Sequence, residues 1–453
     1  MGQDWEKLAG DEGSTIATGR FGRALKVGRL AGRLTGGFLK ESVKQRLRGE
    51  RGPAAELEAL VSAAGRSGRE IAASLGQLKG AAMKIGQLLS ADPDLIDPAF
   101  AEELSILQRS APPMRYRLLA DAIESRLGAS MAELFCFFDP KPLGSASIGQ
   151  VHRAILHDGR EVAIKVQYPG VADSLDSDLK NLSALLKLAR VFLSPAQAEA
   201  FVAEARQALL RELDYEGEAE NLERFGALFE TWPNVRVPAP IRELCAPGIL
   251  TMEYIKGRPL IDACKGPDLE LRRALGATFI EAFVYMFHER QTLHGDPHPG
   301  NFLVDEEGRL VLLDLGCVRD FPEEVGDEVL RALLATLAGE ADESYEVLRR
   351  LGFGREGVQQ PTATQLYEHH RLILAPFFPE EGFNFARWSL HEPLRLLVRE
   401  NLELLQFTPP SELLIYLRVL AGIKGILSHI DATLPVREIS LACCVRRELC
   451  SSI

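Results

Sequence analysis

Four short segments, in a fixed order, limit the folds open to this 453-residue chain. They are PLGSASIGQV at Pro142–Val151, VAIK at Val162–Lys165, HGDPHPGN at His294–Asn301 and DLG at Asp314–Gly316. Together they supply a lysine in an alternating strand, an aspartate followed five residues later by an asparagine, and a further aspartate. Phosphoryl transfer asks a protein for these groups: a cation for phosphate oxygens, a carboxylate to orient the nucleophile, and oxygen ligands for a hard divalent ion. One HxD or DxG triplet arises by chance. Four segments in this order do not.

The order and spacing match the ATP site of protein kinases. Lys165 lies in EVAIKV, where alternation turns its side chain away from Ile164 and Val166. Its expected role is to hold the α- and β-phosphates of ATP. That lysine needs a carboxylate partner. A helix expected over 197–230 offers Glu204, Glu212, Asp214, Glu216, Glu218 and Glu220. Asp214 and Glu218 are four apart, with Glu212 on nearly the same side. Glu218 is the first candidate and Glu212 the second. Asp296 is the candidate base or water-orienting group, and Asn301 with Asp314 the ligands of Mg²⁺, with Mn²⁺ as an alternative. His294 and His298 have a spacing that binds zinc on a helix, but the Gly and Pro around them argue against a helix, and His294 reads as a loop anchor. Gly144, Ser145, Ala146, Ser147, Ile148 and Val151 form the expected nucleotide loop, with alanine and serine where glycines normally let backbone approach phosphate. Glu253 and Tyr254, ending the apolar strand expected at Ile249–Tyr254, complete the nucleotide set.

Periodicity sets the surroundings. Helical spacing runs through 54–138, with a break at Pro112–Pro113. Strands are expected at Val151–Leu156 and Arg160–Gln167 around the turn signal His157-Asp158-Gly159, and a chain reversal at Lys256-Gly257. From about 268 the pattern is helical, apart from short strands near Phe302–Val304 and Leu310–Leu313. The expected fold is therefore α+β: a bilobal protein-kinase-like fold with a helical N-terminal extension packed over the active site and a largely helical C-lobe. The corresponding segments are a basic, glycine-rich arm at 1–52, a helical extension at 53–140, an N-lobe at 141–256 and a C-lobe at 257–453.

Charge is divided along the chain. Residues 1–51 hold 11 Lys/Arg against six Asp/Glu, a net of +5, so the rest carries −17 of the total −12. An acidic body argues against nucleic acid as a partner, while the arm suits an anionic surface. Seven cysteines without a regular framework point to a reducing compartment. No stretch approaches the ~18 apolar residues of a membrane span. The terminal Cys450-Ser451-Ser452-Ile453 outlines a prenylation box, with serines that suit it poorly.

The chain also resembles the UbiB-type atypical kinases (the ADCK or AarF group) from about Leu75 to Gly316, and more weakly to about 435. The carrying residues are Lys84–Gln87 (the KxGQ motif), SASIGQVHRA, VAIKVQYPG, Glu212–Asp214 (the ExD motif) within ELDYEGEAEN, HGDPHPGN and DLG. The resemblance implies a Mg-ATP-dependent ATPase or restricted phosphotransferase linked to isoprenoid-quinone biosynthesis and lipid homeostasis. It implies a regulatory role for Lys84, Gly86 and Gln87, which would face Glu212 and Asp214 and fill the space a protein substrate would use. An anionic lipid or quinone precursor and quinone-biosynthesis proteins are the implied partners. The implied location is cytoplasmic, or peripheral on the inner membrane. Gly144 departs from the more alanine-rich loop of the family, and the paired membrane-spanning C-terminal helices of some bacterial members are missing. Two other readings stay open: a small-molecule phosphotransferase of the aminoglycoside or choline kinase type, which shares HGDxxxxN, and a non-catalytic, nucleotide-gated lipid-binding scaffold.

Overall fold

The computed structural model describes Gln3 and residues 114–146, 148–173, 175–176, 179–180, 195–354 and 357–450. Lys84, Gly86, Gln87, Ser147, the rest of the basic arm, the expected helical extension up to 113 and Ser451–Ile453 lie outside the described residues. The chain divides into two compact units, Met1–Ala219 with Pro240–Tyr254, and Glu220–Ala239 with Ile255–Ile453. Residues 220–239, expected within the segment 141–256, therefore group with the second unit.

The first unit is built on an antiparallel sheet. Its strands are β1 (Phe137–Phe138), β2 (Gly144–Ala146), β3 (Gly149–Ile155), β4 (Glu161–Gln167) and, later in the chain, β6 (Ile249–Glu253), in the order β1-β3-β4-β6 with β2 paired to β3. Seven consecutive pairs join β3 to β4, from Gly149↔Gln167 to Ile155↔Glu161. The connecting turn is closed by the Gly159 N–H donating to the Leu156 carbonyl, with Gly159 at φ +88°, a conformation that glycine adopts without steric cost. Because strand side chains alternate, this register puts Val151 directly beside Lys165 on one face. Ala154, Val162, Ile164 and Val166 share the other face with the core. Helix α1 (Tyr116–Leu127) covers that core with Tyr116, Leu119 and Ile123, at the three-to-four residue spacing of an apolar stripe. Gly128 ends it at φ +72°, its N–H returning to the Glu124 carbonyl.

Two expectations change here. The segment Pro142–Val151 is a tight β2–β3 hairpin, with Gly144↔Val151 and Ala146↔Gly149 paired, where a loop was expected. The small residues permit close pairing, and ladder hydrogen bonds outweigh the freedom of an open loop. The single helix expected over 197–230 is two, α2 (Pro195–Leu213) and α3 (Tyr215–Leu228). Asp214 causes the break: its Oδ1 accepts from the Gly217 N–H at 2.9 Å, capping α3 as an N-terminal carboxylate does. The unit boundary falls within α3.

The second unit carries a four-stranded sheet in the order β5-β10-β9-β7: β5 (Val235–Arg236), β7 (Gly257–Pro259), β9 (Phe302–Asp305) and β10 (Leu310–Leu312). Gly257 starts strand β7, where a chain reversal was expected. Parallel pairing of β5 with β10 draws residues 220–239 into this unit. A separate ribbon pairs β8 (Thr292–His294) with β11 (Val318–Asp320). The remainder is helical: α4 (Leu269–Val284), α5 (Glu323–Ala338), α6 (Ala341–Arg350), α7 (Ala363–Ile373), α8 (His391–Glu400), α9 (Ser411–Leu427) and α10 (Val436–Arg446). Among the described residues no helix is long and apolar enough to cross a membrane.

Candidate functional site

In the first unit, β4 and α3 bring Lys165 and Glu218 together. The Lys165 Nζ donates to both Glu218 carboxylate oxygens at 2.8 Å. The two side chains are 9% and 2% exposed. An ion pair so far from water is stabilising only while both charges are present. Of the two carboxylates weighed for Lys165, Glu218 is the one it meets. Glu212 belongs to α2, before the break, and Asp214 is engaged in capping α3. Gln167 ties the junction to the sheet, its Nε2 donating to the Leu213 carbonyl at 2.8 Å.

Tyr215 is a neighbour that sequence reasoning passed over. Its ring centroid lies 5.0 Å from the Lys165 Nζ. Tyr215 and Glu218 are three apart at the start of α3, hence on one helix face, and both are buried.

The hairpin residues have distinct surroundings. A Cβ on Gly149 would stand 2.4 Å from the Val166 carbonyl oxygen, so only glycine lets β3 approach β4 there, whereas Gly144 has open space around it. Ile148 is buried, and its carbonyl accepts from the Tyr168 N–H at 2.9 Å. At the end of β6 the Tyr254 N–H donates to the Glu161 carbonyl at 3.1 Å, and the Arg153 guanidinium lies 5.3 Å from the Tyr254 ring centroid.

In the second unit, HGDPHPGN is a wound loop leaving β8. His294 is fully buried, its ring stacked with Phe283 and 5.5 Å from Phe302. His298 is exposed, with Nδ1 accepting from the Gly300 N–H at 3.2 Å. The two rings do different work, and no zinc-type cluster of three ligands occurs among the described residues. The Asp296 carbonyl accepts from the His298 N–H at 2.7 Å and from Asn301 Nδ2 at 3.0 Å. With Nδ2 so used, Oδ1 is the atom Asn301 can offer a cation. The Leu313 N–H donates to the Asn301 carbonyl at 3.0 Å, which brings the neighbouring Asp314 alongside Asn301. Asp314 Oδ1 accepts from the Gly316 N–H at 3.0 Å. An amide oxygen and a carboxylate are hard donors, and they fit Mg²⁺.

Asn221 and Arg224 were also missed. Asn221 Nδ2 donates to the Leu315 carbonyl, inside DLG, at 2.9 Å. Arg224 grips Asp320 with both terminal nitrogens, at 2.5 and 3.1 Å, and this pairing lowers the Asp320 pKa. The signal lay in ELDYEGEAENLER: Asn221 follows Glu218 by three residues, and Arg224 follows Asn221 by three.

A strand lysine with a buried carboxylate, together with the Asp–Asn loop and DLG, defines a chain of the protein-kinase-like class. Residues 106–348 match the ABC1 atypical kinase-like domain, and the chain belongs to that family. It is 32% identical over 446 residues to "Atypical kinase coq-8, mitochondrial" of Caenorhabditis elegans, covering 96% of this chain and 58% of that one. It is 31% identical over 427 residues to "Atypical kinase COQ8B, mitochondrial" of Danio rerio, covering 93% and 68%. Among solved structures it is similar to the Rv3197–erythromycin complex from Mycobacterium tuberculosis, with a TM-score of 0.58, 28% identity, and coverage of 88% of this chain and 97% of that one.

Proposed function

We propose that the chain is a Mg-ATP-dependent atypical kinase or ATPase, with water among its acceptors, that supports isoprenoid-quinone (ubiquinone) biosynthesis or lipid homeostasis. The observation that carries this reading is the buried Lys165–Glu218 pair, both contacts at 2.8 Å. A buried ammonium held by a buried carboxylate is costly to maintain and suits a group that must meet phosphate oxygens. In this reading Lys165 donates to the α- and β-phosphates and Glu218 holds it in place. Asp296 accepts the proton of the attacking hydroxyl, or orients water. Asn301 Oδ1 and the Asp314 carboxylate hold Mg²⁺ or Mn²⁺, which when bound offsets phosphate charge. Gly144, Ser145, Ala146, Ser147, Ile148, Val151, Glu253 and Tyr254 are proposed nucleotide contacts. Lys84, Gly86 and Gln87, with Glu212 and Asp214, are the proposed regulatory set that restricts the acceptor. An anionic lipid or a phenolic quinone precursor is the proposed further ligand, and peripheral attachment to the inner membrane the proposed location.

The test is a thermal-shift titration with ATP, with and without Mg²⁺, on wild type and Asp314→Asn. Binding to the folded state stabilises it by RT ln(1 + [L]/Kd), about 2.7 kcal/mol at a hundredfold excess over Kd. A metal-dependent shift that Asp314→Asn abolishes is expected. Equal shifts in both proteins, with and without metal, would refute the reading.

A further inference from the structure

We infer that Tyr215 is a positioning residue for Lys165, its ring face fixing the direction of the ammonium that Glu218 anchors. The inference rests on the nucleotide reading above. The geometry is that of a cation–π contact, with Nζ 5.0 Å from the ring centroid, inside the ~6 Å range of such attraction. Glu218 holds the ammonium through two contacts of equal length, 2.8 Å each. The Tyr215 ring, from one turn earlier on α3, approaches the same ammonium from a different direction.

The chemistry of the second contact matters. Another carboxylate would also hold the lysine, but its negative charge would repel the phosphates the lysine must meet. A neutral ring attracts the cation through its quadrupole and adds no net charge. Tyr215 and Lys165 are 2% and 7% exposed, so little water competes for the cation.

The ring is itself tightly placed. Tyr215 opens α3 directly after the Asp214 cap, which sets its height on the helix. Its hydroxyl lies 3.0 Å from where a Cβ on Gly149 would stand, so a side chain at that position would press on the ring. One aromatic thus lies beside both Gly149 of β3 and the lysine.

The test uses the full chain with Tyr215 replaced by Phe and then by mono-, di- and trifluorinated Phe, which keep the shape while draining charge from the ring face. Two readouts are taken: hydrogen-exchange protection of the β3–β4 amides without nucleotide, in Lys165 and Lys165→Met backgrounds, and Mg-ATP turnover. Tyr215→Phe is expected to behave like wild type. Along the fluorinated series kcat is expected to fall stepwise to a loss of about tenfold, with KM held within about twofold because positioning acts on the reacting geometry. Protection should fall in step, and this trend should vanish when Lys165 is Met. A flat protection series overturns the ring–lysine contact whatever the chain does with ATP. A graded protection series with flat kcat in an active protein overturns the positioning role. Wild type that neither shifts with Mg-ATP nor turns it over overturns the nucleotide reading, and the role of Tyr215 in turnover with it.

Discussion

Replacing Glu218 with glutamine tests how much of the first unit depends on one carboxylate. The substitution keeps the shape and one acceptor oxygen but removes the charge. Lys165, 9% exposed at its side chain, would then hold a buried ammonium without the Glu218 charge. Breaking a buried pair in this way costs about 3–5 kcal/mol, most of it the penalty for the charge left behind. At ~1.4 kcal/mol per tenfold, even the lower figure is a change of about 150-fold in local opening. A two-unit chain does not justify one global unfolding free energy, so the readout must be local. Hydrogen exchange of the β3–β4 amides provides it: their protection should drop by about two orders of magnitude, while the β9–β10 amides keep theirs. The double variant Lys165→Met/Glu218→Leu should recover much of the loss, because neither charge is then buried. If Glu218→Gln changes β3–β4 protection by less than about threefold, the pair is not the anchor described.

Two further outcomes are expected from the second unit. A Cβ on Gly422 of α9 would lie 2.6 Å from Pro297 Cγ and 3.1 Å from its carbonyl, next to Asp296; Gly422→Ala should therefore lower Mg-ATP turnover by about tenfold or more without altering β3–β4 protection, and unchanged turnover would count against the role given to this loop. Burial pushes His288 down from 6.5 to about 4, the hydrogen bond to the Gly326 carbonyl only partly opposing it. Its folded pKa is depressed, so the unfolded chain binds a proton the fold does not between those values, and stability should be lost as pH falls through that window, by about 3 kcal/mol at most. His369, pushed down to about 4 by burial, and His370, also lowered, act in the same direction. Urea midpoints of the second unit between pH 7.5 and 4.5, read for wild type and His288→Gln, should differ in slope by about one proton; identical slopes would show that His288 titrates normally.

Much of the site can be read along the chain because its chemistry is local. Asp296 and Asn301 are five residues apart in one wound loop, and Asn301 reaches back to the Asp296 carbonyl itself. Lys165 and Val151 face one way because strands alternate and the His157-Asp158-Gly159 turn sets the register. The carboxylate partner is another matter. Along the chain Glu218 ranks ahead of Glu212 without excluding it, and the capping of Gly217 by Asp214 sets them further apart by starting a new helix with its own phase. The glycine- and serine-rich segment around Ile148 reads as a loop along the chain, yet it pairs as a hairpin in which Ile148 is buried.

The order of motifs, the alternation of β4 and the spacing of the HGDPHPGN loop sufficed to specify the kinase-like class and the residue types of the site, because each motif carries its chemistry within a few neighbouring positions and the order is read directly from the chain. The sequence ranked Glu218 first for Lys165, but its contact with the lysine, the position of Tyr215 against the same ammonium and the hold of Asn221 on the DLG carbonyl all required the folded chain. Those contacts join residues 50 to 94 positions apart. At such separations the pairing is set by helix phase, strand register and burial, which no local spacing records.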